Sequence, residues 1–344
     1  MLLGRGRCPD RRGQWWDRRC VALEKAGGPG AALEAAEAGL ADEWVVGGDL
    51  LALRRRCLRL RLKASPHSPL PAWADEARWE PPHETLALPA RVWSSSQRVA
   101  GGTAASVADG AEGASSSSST RLVFEGNRTV EEMALEHYAA SGWRGWHTEG
   151  GVWRALCVLL CWDEIFCEPP PLVDTPESEP EPAALRRLGQ KAPLDFGTTG
   201  FRARRGPALA AAAARVASLS SGATSDAVAA AWARVGGTAG GLVIGGGEGD
   251  ATSLDNLCLI ARAFAGPTLG AVCRLSLSEW GGGACWGGMP DLVLVKEEDG
   301  VVRGRLVEVK SPSDTLSPSQ VAWLRELGRA GGDATVLRVV RGEV

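Results

Sequence analysis

Three side chains near the C-terminus have the types and spacing for phosphodiester chemistry. Asp291 ends the run Gly287-Gly288-Met289-Pro290-Asp291, and Glu308-Val309-Lys310 begins seventeen residues later. Two carboxylates brought together can hold hard, oxygen-preferring cations such as Mg²⁺ or Mn²⁺. Such ions lower the pKa of water, orient a phosphate and neutralise charge that builds up during an in-line displacement. A lysine beside them can stabilise that charge or orient the attacking water. The pattern is short, and two exposed acids with a lysine in a surface ion pair would satisfy it equally well.

The chemistry therefore depends on the elements that place these groups. Val293 to Val295 and Leu306 to Val309 are rich in aliphatic and β-branched residues and read as short buried strands. Between them Glu297-Glu298-Asp299-Gly300 is a hairpin signal, and closing that hairpin brings Asp291 near Glu308. Strand alternation puts Glu308 and Lys310 on one face and Val309 on the other. Ser317-Pro318-Ser319-Gln320 then reads as a capping box with proline at the first helical position. The helix after it leads to a strand at Thr335–Val340, which makes a parallel, right-handed crossover. Gln320 has two readings, as the cap partner alone or as a group that also reaches the metal site.

Composition limits the alternatives. The 344 residues are 44% hydrophobic, enough to bury one or two cores, and the net charge is −3. No global positive field advertises a nucleic-acid partner, so any basic surface must be local. Nine cysteines, none in C-x-x-C, read as reduced buried thiols of an intracellular protein rather than as a zinc or disulfide framework. No apolar span of membrane length and no secretory signal is apparent, so no membrane partner is expected. The glycine-rich run 236–249 contains neither G-x-x-x-x-G-K nor a strand-linked G-x-G-x-x-G, which leaves nucleotide binding unsupported.

Along the chain, residues 1–65 read as a helical segment, ending in an amphipathic basic helix at Leu50–Lys63. Its arginines read either as a solvated face or as a phosphate-tracking one. Residues 66–120, with six prolines before residue 90 and a serine run at 115–119, read as a linker or insertion that packs little. A larger folded region is expected over 121–344, with its core at about 235–344. Within it Thr129 caps one helix, and Val152–Phe166 reads as a single apolar core helix. Glu149 sits at the mouth of that second helix. It could cap the N-terminus, which is the ordinary explanation, or turn into a cleft as a further metal ligand. His147 and Glu149 also match the H-x-E of zinc deaminases, but no P-C-x-x-C follows. Residues 193–209 read as a basic loop before an alanine-rich helix.

Taken together these stretches resemble the virus-type replication-repair nuclease module, in the version found in the Fanconi-associated nuclease family. The resemblance is carried by Gly287 to Val293, by Leu306 to Lys310, and by Leu316 through Gln320 to Leu324. Three further stretches match in the family's order: Arg12-Gly13-Gln14-Trp15-Trp16-Asp17-Arg18, Glu149-Gly150 leading into Leu159 to Phe166, and Pro193-Leu194-Asp195 with Arg205 to Leu209. The resemblance implies an α/β fold with a restriction-endonuclease-like nuclease core, a mixed sheet flanked by helices, preceded by a helical segment. It also implies a 5′-flap endonuclease with 5′-to-3′ exonuclease activity, dependent on two Mg²⁺ or Mn²⁺ ions, acting on branched or flapped DNA. Interstrand cross-link repair in the nucleus goes with it.

By that resemblance Glu149, Asp291 and Glu308 are metal ligands and Lys310 is the catalytic lysine, which favours the ligand reading of Glu149 over capping. Arg12, Arg18 and Arg205 are the candidate phosphate contacts. The family's basic stretch before Gly-Gly-x-Pro-Asp is replaced here by Gly281-Gly282-Gly283-Ala284-Cys285-Trp286, so one phosphate contact is expected to be lost or moved. The chain reads as a fragment or truncated form of a longer protein, and partners in a repair complex are not identifiable from it. Two other readings stay open: a junction-resolvase-like nuclease, and a DNA-binding fragment that is catalytically silent.

Overall fold

The structure is a computed structural model. It describes residues 11–67, 69–88, 90–95, 119–124, 128–148, 150–167, 193, 195–196, 198–235, 251–280 and 287–342.

The first three helices are α1 (Arg12–Lys25), α2 (Pro29–Leu40) and α3 (Gly47–Ala64). They close around Trp16, Cys20, Ala36, Leu53 and Cys57. Proline at the first position of α2 suits a helix start, because its missing N–H would have had no partner there. The α3 leucines face inward as their spacing predicts. Its arginines, however, are largely tied to acids: Arg54 pairs with Glu76, Arg56 with Asp17 and Glu24, Arg59 with Glu24, and Arg61 with Glu37.

The described residues within 66–95 depart from the expectation of a stretch that packs little. Helix α4 (Ala74–Arg78) buries Ala74 and Ala77, and strand β1 (His83–Leu88) pairs in parallel with the last strand of the chain, from His83↔Val336 to Leu88↔Arg341. The prolines at 81 and 82 end the helical path without preventing a strand after them. Being an edge strand, β1 alternates half-buried and exposed positions and carries no continuous apolar run, which is why composition alone hid it. Strands β2 (Ala90–Ser95) and β3 (Ser119–Phe124) form a separate antiparallel pair.

The C-terminal half begins with α5 (Val130–Ala140), capped by the Thr129–Glu132 box, and β4 (Arg144–His147). The expected helix at Val152–Phe166 is two, α6 (Gly151–Leu160) and α7 (Trp162–Phe166), separated at Cys161, whose φ of −117° is not helical. The expected basic loop at 193–209 is mostly the start of α8 (Thr199–Ala217): the Thr198 hydroxyl accepts the Phe201 N–H, so the helix begins before the basic residues. Helices α9 (Ser221–Val235), α10 (Leu254–Ala263) and α11 (Pro267–Cys273) follow, the last running into a π-helical turn at Arg274–Glu279. Then come β5 (Leu292–Glu298), β6 (Val301–Lys310), α12 (Pro318–Arg329) and β7 (Asp333–Arg341).

The main sheet has the order β1-β7-β6-β5-β4. Strand β6 runs antiparallel to β5 and parallel to β7, so the sheet is mixed and the β6–α12–β7 crossover takes the expected parallel form. The turn between β5 and β6 places Asp299 at φ 52° and Gly300 at φ 76°, the paired positive angles of a two-residue hairpin. Alternation splits the core into two layers. Val293, Val295 and Leu306 face Trp153, Phe264 and Trp323 among the helices of one side, while Leu292, Leu294, Val307 and Val309 face Ala134 and Tyr138 of α5 on the other. Glu308 lies between Val307 and Val309 and so projects to the α12 side. The sheet expected within about 235–344 draws both edge strands, β1 and β4, from earlier in the chain. Among the described residues no single helix is long and apolar enough to cross a membrane.

Candidate active site

Glu308 is buried completely, with 0% of its surface exposed. Two donors reach one of its oxygens: Lys310 Nζ lies 2.6 Å from Oε1, and Gln320 Nε2 donates to the same atom over 2.5 Å. The other oxygen, Oε2, is buried without a donor. Asp291, just ahead of β5, accepts the Val309 backbone N–H at its Oδ2 over 2.8 Å. That bond pins the aspartate to β6 beside the glutamate. Burial pushes the Glu308 carboxyl up to about 8, and the Asp291 charge adds to the push against the opposing pull of Lys310. A buried carboxylate with an orphaned oxygen beside a half-buried one favours a proton or a cation between them.

The Asp291, Glu308 and Lys310 positions thus come together as the hairpin reading requires. Gln320 does both things the sequence left open: its Oε1 accepts the Ser317 N–H over 2.8 Å as the cap partner, and its Nε2 holds Glu308. Glu149 lies outside the described residues. Its neighbour Thr148 donates its N–H to the Asp291 carbonyl over 3.0 Å, and Gly150 at φ 87° begins α6. The Thr148 contact was not foreseen. It follows from β4, which begins two residues after a helix stop at Gly142, pairing antiparallel with β5 up to His147↔Leu292.

Two of the three arginines are committed elsewhere. Arg12 is 7% exposed and turned into the helical segment, where its Nε donates to Asp42 over 2.6 Å; the Trp16 indole N–H reaches the same carboxylate oxygen over 2.8 Å. Arg205 is 4% exposed, pairs with Asp195 at 2.7 Å and stacks over Phe201, fastening the 193–198 loop to α8. Both guanidiniums are thus held within the chain, Arg12 by Asp42 and Arg205 by Asp195; an Arg among tryptophans and phenylalanines near acids can be read either way from sequence. Arg18 is exposed on α1. A groove of about 360 Å³ lined by Asp17, Ala52, Arg55, Arg56, Arg59 and Pro318 lies between the helical segment and the start of α12.

The residues present fit a divalent cation as far as they are described. Among the described residues no three His, Cys, Asp or Glu side chains converge on one point. Asp291 and Glu308 nevertheless supply two hard oxygen donors, one of them the orphaned Oε2.

The family model for the VRR-NUC domain matches residues 248–341, and that for the Fanconi-associated nuclease 1 TPR domain matches residues 1–61. Fanconi-associated nuclease 1 of Ailuropoda melanoleuca is 34% identical over 99% of this chain, and that of Homo sapiens 33% identical over 99%. The Oryza sativa subsp. japonica homolog is 30% identical over 96% of the chain.

Along nearly its whole length the chain is similar to members of the Fanconi-associated nuclease family. It spans about 31% of the length of the Ailuropoda and human relatives. Its fold is similar to that in a crystal structure of paFAN1 bound to 5′-flap DNA with a gap, at a TM-score of 0.64 and 22% identity, covering 96% of this chain and 49% of that one. The restriction-endonuclease-like expectation for the fold holds. Within the family frame, the two family-model matches fall on the helical segment and on the α10-to-β7 region that contains the site.

Proposed function

We propose that this chain is a metal-dependent, structure-specific DNA nuclease: a 5′-flap endonuclease with 5′-to-3′ exonuclease activity, acting in the nucleus in interstrand cross-link repair. The observation that carries the reading is the buried Glu308 carboxylate, with one oxygen held by Lys310 and Gln320 and the other left without a donor beside Asp291. Flapped DNA is the bound partner of the solved relatives of this fold, which supports the substrate class.

Asp291 and Glu308, with Glu149 as the third acid, would hold Mg²⁺ or Mn²⁺ in two sites. Bound there, the ions supply Lewis-acid stabilisation of the scissile phosphate and a more acidic water. The chain's own groups have separate tasks. Gln320 and the Val309 N–H fix the two carboxylates so that their remaining lone pairs face one place. Lys310, already at hydrogen-bond distance from Glu308, orients the attacking water and carries a positive charge next to the developing negative one. Arg18, exposed on α1, is the remaining candidate among the predicted phosphate contacts.

The test is cleavage of labelled flap, nicked and four-way-junction DNA with and without Mn²⁺. Asp291→Ala and Lys310→Ala should each lower flap cleavage by about 10²–10³-fold or more while leaving binding nearly unchanged. Undiminished cleavage by both variants would refute the assignment. Cleavage of the four-way junction alone would move the reading to a resolvase, and binding without cleavage to a silent fragment.

A further inference from the structure

Ser319, in the first turn of α12, is closely approached by two glycines of distant origin. Gly48 is the second residue of α3 in the helical segment, and a Cβ built on it would run into Ser319 Oγ and lie 2.6 Å from Ser319 Cα and 2.7 Å from Ser319 N. Gly288 sits in the Gly-Gly-Met-Pro-Asp run at φ 91°, and a Cβ there would lie 2.8 Å from the Ser319 carbonyl carbon, 2.8 Å from Ser319 Cβ and 2.9 Å from Gln320 N. The Ser319 hydroxyl can rotate away, but each contact also includes backbone atoms, which cannot swing aside as a flexible side-chain tip can. Leu51, one turn along α3, is buried against Val321 and Ala322 one turn along α12, so the approach continues as a packed helix interface.

We infer that Gly48 and Gly288 clamp the first turn of α12, making Gly48 a positioning residue that acts on the site through Gln320. The argument follows the hydrogen bonds. Gln320 has one carboxamide oxygen on the Ser317 N–H and its amide nitrogen on Glu308, so its side chain has no slack with which to absorb a shift of its own backbone. Displacing Ser319 to make room for a methyl at Gly48 carries the adjoining Gln320 with it and either stretches the bond to Glu308 or breaks the cap. Gln320 does not meet the phosphate in this scheme. It orients a carboxylate, and the helical segment sets how well it does so. The inference rests on the nuclease reading only for its metal-binding readout.

The chain has four glutamines, so the Gln320 carboxamide signals in ¹⁵N-labelled protein can be assigned by their loss in Gln320→Ala. In Gly48→Ala those signals should move toward the position of a solvated glutamine and exchange faster with water. Mn²⁺ affinity by calorimetry should fall by about 10–100-fold, the range for groups that orient a metal ligand. Gly48→Ala added to Gln320→Ala should cost nothing more. Gly30→Ala, where an added methyl meets nothing within 4 Å, is the control and should change neither readout. If Gly48→Ala does not fold, Leu51→Ala loosens the same interface by removing atoms and carries the test. Unmoved Gln320 signals in folded Gly48→Ala or Leu51→Ala would overturn the clamp, as would losses that add to that of Gln320→Ala. A wild-type protein that neither binds Mn²⁺ nor cuts DNA would sink the nuclease reading, while the carboxamide signals would still decide the clamp.

Discussion

Glu308 shows how far a single residue can be tuned by its surroundings. Its carboxyl, raised to about 8 by burial and by Asp291, is protonated at neutral pH when no cation is bound. A cation must displace that proton. Binding of Mn²⁺ at pH 7 should therefore release about one proton, and apparent affinity should rise about tenfold per pH unit until it levels near pH 8. Calorimetry in buffers of different ionisation enthalpy reads both. The linked stability term has the matching sign. The folded pKa is raised, so the contribution is complete below about pH 4.5 and is lost as pH rises through about 8; metal-free protein should melt at lower temperature at pH 8.5 than at pH 6, and Mg²⁺ should narrow the gap. The arginines divide along the same line of burial. Arg12→Ala leaves Asp42 buried without its main counter-charge and should cost about 3–5 kcal/mol in a denaturant titration, with little effect on DNA affinity at matched folded fraction. Arg18→Ala should leave stability alone and lower the salt dependence of DNA binding by about one unit of slope. The meeting of Asp291, Glu308 and Lys310 was legible because their spacing is local. The surroundings of Arg12 and Arg205 were not, since a guanidinium carries the same letter whether it faces a phosphate or a buried aspartate.

Elements were legible where the signal was periodic or capped. The β5–β6 hairpin, the Ser317 and Thr129 boxes, the inward leucines of α3 and the helix-strand crossover to β7 all follow from patterns a few residues long. Strands β1 and β4 were missed for one reason: each is an edge strand with mixed burial, and its place is decided by partners 253 or more and about 150 residues away, as in His83↔Val336 and His147↔Leu292. Proline content misled further, because it argues against helix but says little about an edge. A stretch that packs little could be excised without loss of function; with α4 and β1 inside it, deleting residues 66–118 should instead expose the flank of β7 and give a chain that is insoluble or inactive. Replacing only 96–118, the connection between β2 and β3, by a short turn should retain flap cleavage. Comparing soluble yield and activity of the two deletions decides the point.

At the scale of the whole molecule the helical segment and the nuclease core are one packed body rather than beads on a string. Leu51 of α3 shares a buried cluster with Val321 and Ala322 of α12, with Trp79, Trp280 and Leu316 packed around it. The composition made two cores affordable but said nothing of how they join, since the contact brings together residues from distant stretches, Leu51 with Val321 and Ala322 and Gly48 with Ser319. The strand order adds a temporal dimension. Strand β7 is not at the rim but lies between β1 and β6, so two strands that precede it in the chain wait for it before they join one sheet. A nascent chain emerging from the ribosome holds β1 and β6 apart with an unfilled lane between them until β7 has emerged, which makes synthesis the interval of greatest exposure to misassociation.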